Sequence, residues 1–190
     1  VRAAIARVQA ETDARIVIAT GRMYPSALRY AELLGLDTPV VTYQGAMVRE
    51  TDDDRAVLYH RPVPLEQARR VLGLCRRLGM HVNAYIDDVL YTEPHPSYVD
   101  EYRLTSRIVP TLVDDLASIL TEPSTKMVVI ENDPAKQAAM RKALARDFAH
   151  GELTWCMSRH NFLEVTAAEV SKWAAVAFLA ERWGIPAEQV

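Results

Sequence analysis

No apolar run in the sequence approaches the roughly 20 residues that a membrane-spanning helix needs. The first residues carry no signal-peptide pattern either, so neither a membrane partner nor export is predicted. Cysteine is scarce. Cys75 and Cys156 are the two present; they sit in apolar stretches at no metal-like spacing and read as buried free thiols of a cytoplasmic protein. The five histidines show no paired spacing, which leaves no zinc site to assign. An excess of positive charge is also missing. A formal net charge of −3 supplies no basic face for nucleic acid or an anionic membrane surface. The first strand-like run is not followed by Gly-x-Gly-x-x-Gly, which argues against a dinucleotide-binding oxidoreductase. No acidic pair stands at the end of a predicted core strand, as a glycosidase site would need.

What is present is an ordinary globular balance. Of 190 residues, 49% are hydrophobic and 25% charged, enough to bury a core in one generous domain or two small ones. The organising stretch is Arg15 to Arg22. Arg15 to Ala19 is a nearly unbroken β-branched run, the texture of a fully buried parallel strand. It breaks at Thr20-Gly21-Arg22 and feeds a helix opening at Pro25. A strand that ends this way brings its carboxyl end, backbone N–H groups and the positive end of a helix together, a corner suited to an anion.

Periodicity lays out the rest. Val1, Ile5 and Val8 predict an opening helix, and Leu28, Ala31 and Leu34 a second that Gly35 stops. Residues 39–42 read as a strand, and 47–49 with 56–60 as a hairpin around Asp52, Asp53 and Asp54. After Pro62 and Pro64 the texture changes. A helix is predicted from Leu65 to Leu78, closed by Gly79, then a hairpin of 81–86 and 89–92 around Asp87 and Asp88. A loop or short helix over 93–104 and a weak helix over 114–120 follow. Next come a strand at 126–131, a helix capped by Asp133 and running to about Phe148, and a strand at 153–157. Phe162 to Val165 predicts a further strand. Ser171 caps a helix from Lys172 to Trp183, with Gly184 past its end. The fold class is α/β. An α+β unit over 62–158 separates an amino-terminal part, 1–61, from a carboxyl-terminal part, 159–190.

Lys172 is the second notable feature. A lysine in the first helical turn opposes the macrodipole, a disfavoured placement by roughly 0.3–1 kcal/mol. A phosphate or carboxylate between the ammonium and the helix end explains it. A Thr-Gly at a strand end and a lysine at a helix start, on either side of an α+β insertion, resemble the haloacid-dehalogenase-like phosphatases, specifically the Cof type with its large α/β cap. Ile16 to Arg22, with its Ala-Thr-Gly-Arg, looks like the family's second motif. Tyr43-Gln44-Gly45-Ala46 resembles its Asn-Gly-Ala turn, with Gln for Asn. Tyr85 to Tyr91 is similar to a hairpin of these caps. Phe162 to Lys172 looks like the third motif and its approach.

The resemblance implies a Rossmann-like core, incomplete within these residues, with an inserted cap. It also implies Mg²⁺-dependent hydrolysis of a small phosphorylated metabolite, a sugar phosphate or a cofactor-like ester, through an aspartyl-phosphate. Thr20 and Lys172 would be catalytic, the hydroxyl holding a phosphate oxygen and the ammonium pairing with phosphate and nucleophile. Gly21, Arg22, Gln44 and Gly45 would line the phosphate and substrate side. The nucleophile of the family's Asp-x-Asp motif and the acid of its Gly-Asp motif are expected outside the given residues, and the Mg²⁺ ligands with them. The segment alone is therefore expected to be inactive. The alternative is a non-catalytic, phospho-ligand-binding or regulatory member of the same fold. Within the cap, Tyr85, Asp87, Tyr91, His95 and Tyr98 are the side chains best able to face a substrate, though a structural or solvated role is the commoner fate of each. Oligomeric state is not legible.

Overall fold

The computed structural model describes residues 1–149 and 151–190. The chain forms two compact units. Residues 1–60 and 170–190 make the first, and residues 61–169 the second.

In the first unit, helix α1 (Arg2–Glu11) leads into an extended segment, followed by α2 (Tyr24–Leu34) with Pro25 in its first turn. Proline suits that turn because its missing N–H would have no helical partner. α2 buries Tyr24, Ala27, Leu28 and Ala31, one face at three- and four-residue spacing, and stops at Gly35 with φ 69°. Strands β1 (Val40–Thr42), β2 (Met47–Arg49) and β3 (Val57–His60) form an antiparallel sheet in the order β1-β2-β3. The expected strand at 15–20 contributes a single parallel bridge, Ala19 to Val41, so parallel pairing in this unit rests on that one contact. Successive strand residues point to opposite faces. Val40 joins Ala27, Ala31 and Leu36 on the α2 side, while Val41 joins Val48, Ala175 and Leu179 on the side of α7 (Lys172–Arg182).

The second unit is built on a six-stranded sheet. Its strands are β4 (His81–Ile86), β5 (Val89–Thr92), β6 (Thr111–Leu112), β7 (Lys126–Ile130), β8 (Leu153–Met157) and β9 (Phe162–Ala167), in the order β6-β5-β4-β7-β9-β8. All neighbours are antiparallel except β5 with β6. One face presents Val82, Ala84, Met127, Val129, Leu163 and Val165 to helices α3 (Leu65–Leu78) and α6 (Pro134–Asp147). The opposite face carries His81, Asn83, Tyr85, Lys126 and Glu164, the alternate residues of the same strands, all of them buried. Helix α4 (Pro96–Ser106) meets this polar face through Tyr98 and Tyr102, and a short helix α5 (Leu116–Ile119) follows it in the chain.

Three further expectations need correction. Residues 162–167 do not return to the first unit. β9 is flanked by β7 and β8 and completes the second unit's sheet, so the boundary falls between Glu169 and Val170 rather than between 158 and 159. An apolar strand looks alike in either sheet, and only its pairing partners decide. The stretch over 93–104 contains a regular helix, shifted to 96–106, whose first turn holds Pro96 and whose cap is the His95 side chain. Cys156 is exposed, whereas Cys75 is buried as expected. Near the end of β8 burial lapses at Cys156 and Met157.

Candidate active site

Three stretches distant in sequence meet in the first unit. At the end of the 15–20 segment, the Thr20 N–H donates to the Val41 carbonyl and the Val41 N–H to the Ile18 carbonyl, both at 2.9 Å. The chain then turns, and the Arg22 N–H donates to Thr20 Oγ1 at 3.2 Å. The hydroxyl oxygen thus acts as acceptor locally, which leaves its own proton to be given to another acceptor.

The second stretch is a 3-10 turn over Tyr43–Gly45 that follows β1. The Tyr43 N–H donates to the Arg22 carbonyl at 2.9 Å, and the Gln44 N–H to the Thr20 carbonyl at 3.1 Å. Two backbone bonds therefore stitch the Thr20 turn to the Tyr43 turn. Tyr43, Gln44 and Gly45 all take positive φ, at 51°, 63° and 101°. Such a run is costly for side-chain-bearing residues and is kept only where the surroundings dictate it. Tyr43 is fully buried, so its ring anchors the strained turn.

The third stretch is the start of α7. Ser171 caps it, its Oγ accepting the Ala174 N–H at 3.0 Å. Lys172 is the first helical residue and is exposed. Contact with the turn is close. A Cβ at Gly45 would lie 2.1 Å from the Ser171 carbonyl oxygen and 2.9 Å from the Lys172 nitrogen. At Gly21, a Cβ would lie 2.4 Å from Gln44 Nε2. Glycine is what permits either approach.

The backbones of Thr20, Gly21, Arg22, Gln44, Gly45 and Lys172 belong to this one junction. The Arg22 guanidinium lies along α2 instead, with Nη1 3.4 Å from Ser26 Oγ and its carbon 5.4 Å from the centre of the Tyr30 ring. The contact of Ser171 with Gly45 was not legible in the sequence, where Ser171 reads only as a cap. Its single trace there is a glycine after two residues of a tight turn.

The residues that meet here, 20–22, 43–45 and 171–172, include no carboxylate. Among the described residues, no group of three or more His, Cys, Asp or Glu side chains could hold a metal ion. The residues present therefore do not make a Mg²⁺ site.

The candidates in the second unit have structural partners. Tyr85 is buried, with its hydroxyl on that of Tyr102 and the Lys126 ammonium 5.1 Å from its ring centre. Lys126 Nζ in turn meets Glu164 Oε2 at 2.8 Å, a buried ion pair that neither residue's local sequence announces. Tyr91 packs on the helix-covered face, Asp87 sits in the hairpin turn at φ 48°, His95 caps α4, and the Tyr98 hydroxyl donates to Glu131 at 3.3 Å. A groove of about 880 Å³ in this unit is rimmed by Arg69, Arg70 and Arg77. It is a poor anion site, because Arg70 and Arg77 already pair with Glu152 and Asp147 and Arg69 donates to the Leu120 carbonyl. Among the described residues, no helix is long and apolar enough to cross a membrane.

Residues 1–190 match the family described as haloacid dehalogenase-like hydrolase. The chain is 25% identical over 180 residues to 5-amino-6-(5-phospho-D-ribitylamino)uracil phosphatase YitU of Bacillus subtilis (strain 168), covering 92% of this chain and 65% of that protein. Among solved structures it resembles TM0651 from Thermotoga maritima, with 26% identity, a TM-score of 0.82, and coverage of 96% of this chain and 67% of that one. The sugar phosphatase BT4131 of subclass IIB shares the fold at 17% identity, with a TM-score of 0.78 and coverage of 98% and 69%.

Proposed function

The chain belongs to the haloacid dehalogenase-like hydrolases, and from that premise we propose that the protein is a Cof-type phosphatase acting on a small phosphorylated metabolite. The first unit is its catalytic core and the second its cap. What supports the reading above all is the junction of three segments: the Thr20 turn is hydrogen-bonded to the Tyr43–Gly45 turn, and Gly45 lies against the backbone of the first turn of α7.

In this reading the Thr20 hydroxyl, accepting from Arg22 N–H, donates to a non-bridging phosphate oxygen. The Lys172 ammonium balances charge on the transferring phosphoryl group, where preorganised donors contribute most. The Gly21 backbone lines the same turn. An aspartate oxygen attacks phosphorus, the P–O bond to the leaving group breaks, and water then hydrolyses the aspartyl-phosphate to free phosphate. That aspartate is not among the residues of the junction, and its place is outside them. Mg²⁺ is the family's usual cofactor, but the described residues supply no cluster to hold it. The relative YitU is a phosphatase of a phosphoribityl-aminouracil and BT4131 is a sugar phosphatase. Sugar phosphates and cofactor-like phosphate esters are accordingly the substrate classes proposed.

The test is a screen of phosphorylated metabolites against the full-length protein, with Mg²⁺ and with chelator. Lys172→Ala should lower kcat on the order of 10²–10³-fold, the scale for loss of one transition-state donor, while the fold survives. Turnover near the parent value would remove Lys172 from the site. A full-length protein that binds phosphate esters without hydrolysing them would favour the non-catalytic member.

A further inference from the structure

We infer that Gly45 is a positioning residue, which acts by setting where the first turn of α7 carries Lys172, and that Gly21 makes room for the Gln44 side chain beside it. The inference rests on the functional reading above.

Gly45 has φ 101°, and a Cβ there would lie 2.1, 2.5 and 2.9 Å from Ser171 O, Ser171 C and Lys172 N. Every one of those atoms is backbone. No rotamer change can relieve the overlap, so a side chain at position 45 must push the α7 start away from the turn. The turn itself cannot retreat. Tyr43 and Gln44 are tied to Arg22 and Thr20 by backbone bonds of 2.9 and 3.1 Å, and the Tyr43 ring is buried. Displacement therefore falls on Ser171 and Lys172. Because effects of proximity on phosphoryl chemistry are steep, a shift of about 1 Å is enough to matter.

At Gly21 the geometry differs. The nearest atoms a Cβ there would meet belong to the Gln44 side chain, 2.4 Å from Nε2 and 2.8 Å from Cδ. The Gln44 carboxamide is thus packed against Gly21. This overlap involves a side chain and can be relieved by shortening residue 44.

The experiment uses the full-length protein and inorganic phosphate as probe, with affinity read by titration calorimetry and turnover read on a generic phosphate ester. Gly45→Ala should weaken phosphate binding by about tenfold or more, as loss of a charge-assisted contact does. In a Lys172→Ala background the same change should cost less than about twofold, because the two act through one group. Gly184→Ala is the control. Gly184 ends the same helix at φ 67° with nothing within 4 Å, so it incurs backbone strain without overlap and should leave phosphate affinity unchanged. Gly21→Ala should also weaken binding, and Gly21→Ala combined with Gln44→Ala should regain much of the loss. That second pair tests the idea even if Gly45→Ala fails to fold. Equal losses from Gly45→Ala with and without Lys172, or no recovery in the Gly21/Gln44 pair, would overturn the inference. A parent protein that neither binds phosphate nor hydrolyses esters would instead overturn the functional reading.

Discussion

Acid should loosen the second unit through one side chain, His81. It lies on the polar face of β4, is 9% exposed, and has Nε2 2.9 Å from Thr92 Oγ1. The rings of His95 and Tyr98 sit over it at 5.4 and 5.5 Å. Burial first, and then the neighbouring His95, lower its pKa to about 4, against smaller upward pulls from Asn83 and Glu93. In the unfolded chain the imidazole titrates near 6.5. Its folded value is therefore the depressed one, so the unfolded state takes up the proton first as pH falls. Stability is full above about pH 6.5 and declines toward pH 4. Linkage gives a loss of about 1.5 kcal/mol at pH 5.5 and about 2–3 kcal/mol at pH 4.5. The assay is amide hydrogen exchange along β4 and β7, whose protection reports on this unit alone, in the parent and in His81→Gln. Glutamine can still bond Thr92 but does not titrate. The parent should lose protection on acidification by those amounts relative to the variant. Parallel pH dependences in the two proteins would refute the reasoning.

Lys126→Met should destabilise the same unit by about 3–5 kcal/mol, since it removes the cation paired with the buried Glu164 carboxylate. Lys126→Met with Glu164→Leu should recover most of that in urea unfolding, and a double variant as unstable as the single would contradict the account. Burial pushes the Cys75 thiol up to about 12, whereas Cys156 is exposed. A maleimide at neutral pH should therefore modify Cys156 and leave Cys75 intact until the protein unfolds, as mass spectrometry of the peptides would report. Early labelling of Cys75 would show that its site opens readily.

The elements were legible because the signals that make them act within a few residues. Gly35, Gly79 and Gly184 stand at their helix ends with φ of 69°, 60° and 67°, and each follows an apolar stripe visible in the sequence. Ser171 and Asp133 cap the helices they precede. The Thr20 turn, Lys172 and the family motif were likewise written in short stretches. Tertiary structure alone decided which sheet β9 joins, that Lys126 and Glu164 form a buried pair, and that Gly45 abuts Ser171. It also seated the Arg22 guanidinium on Tyr30 and exposed Cys156. The reason is physical. Periodicity, caps and turn residues fix a segment's own conformation, but a strand's partner and a glycine's neighbour are set by residues many positions away, through packing that no local pattern encodes.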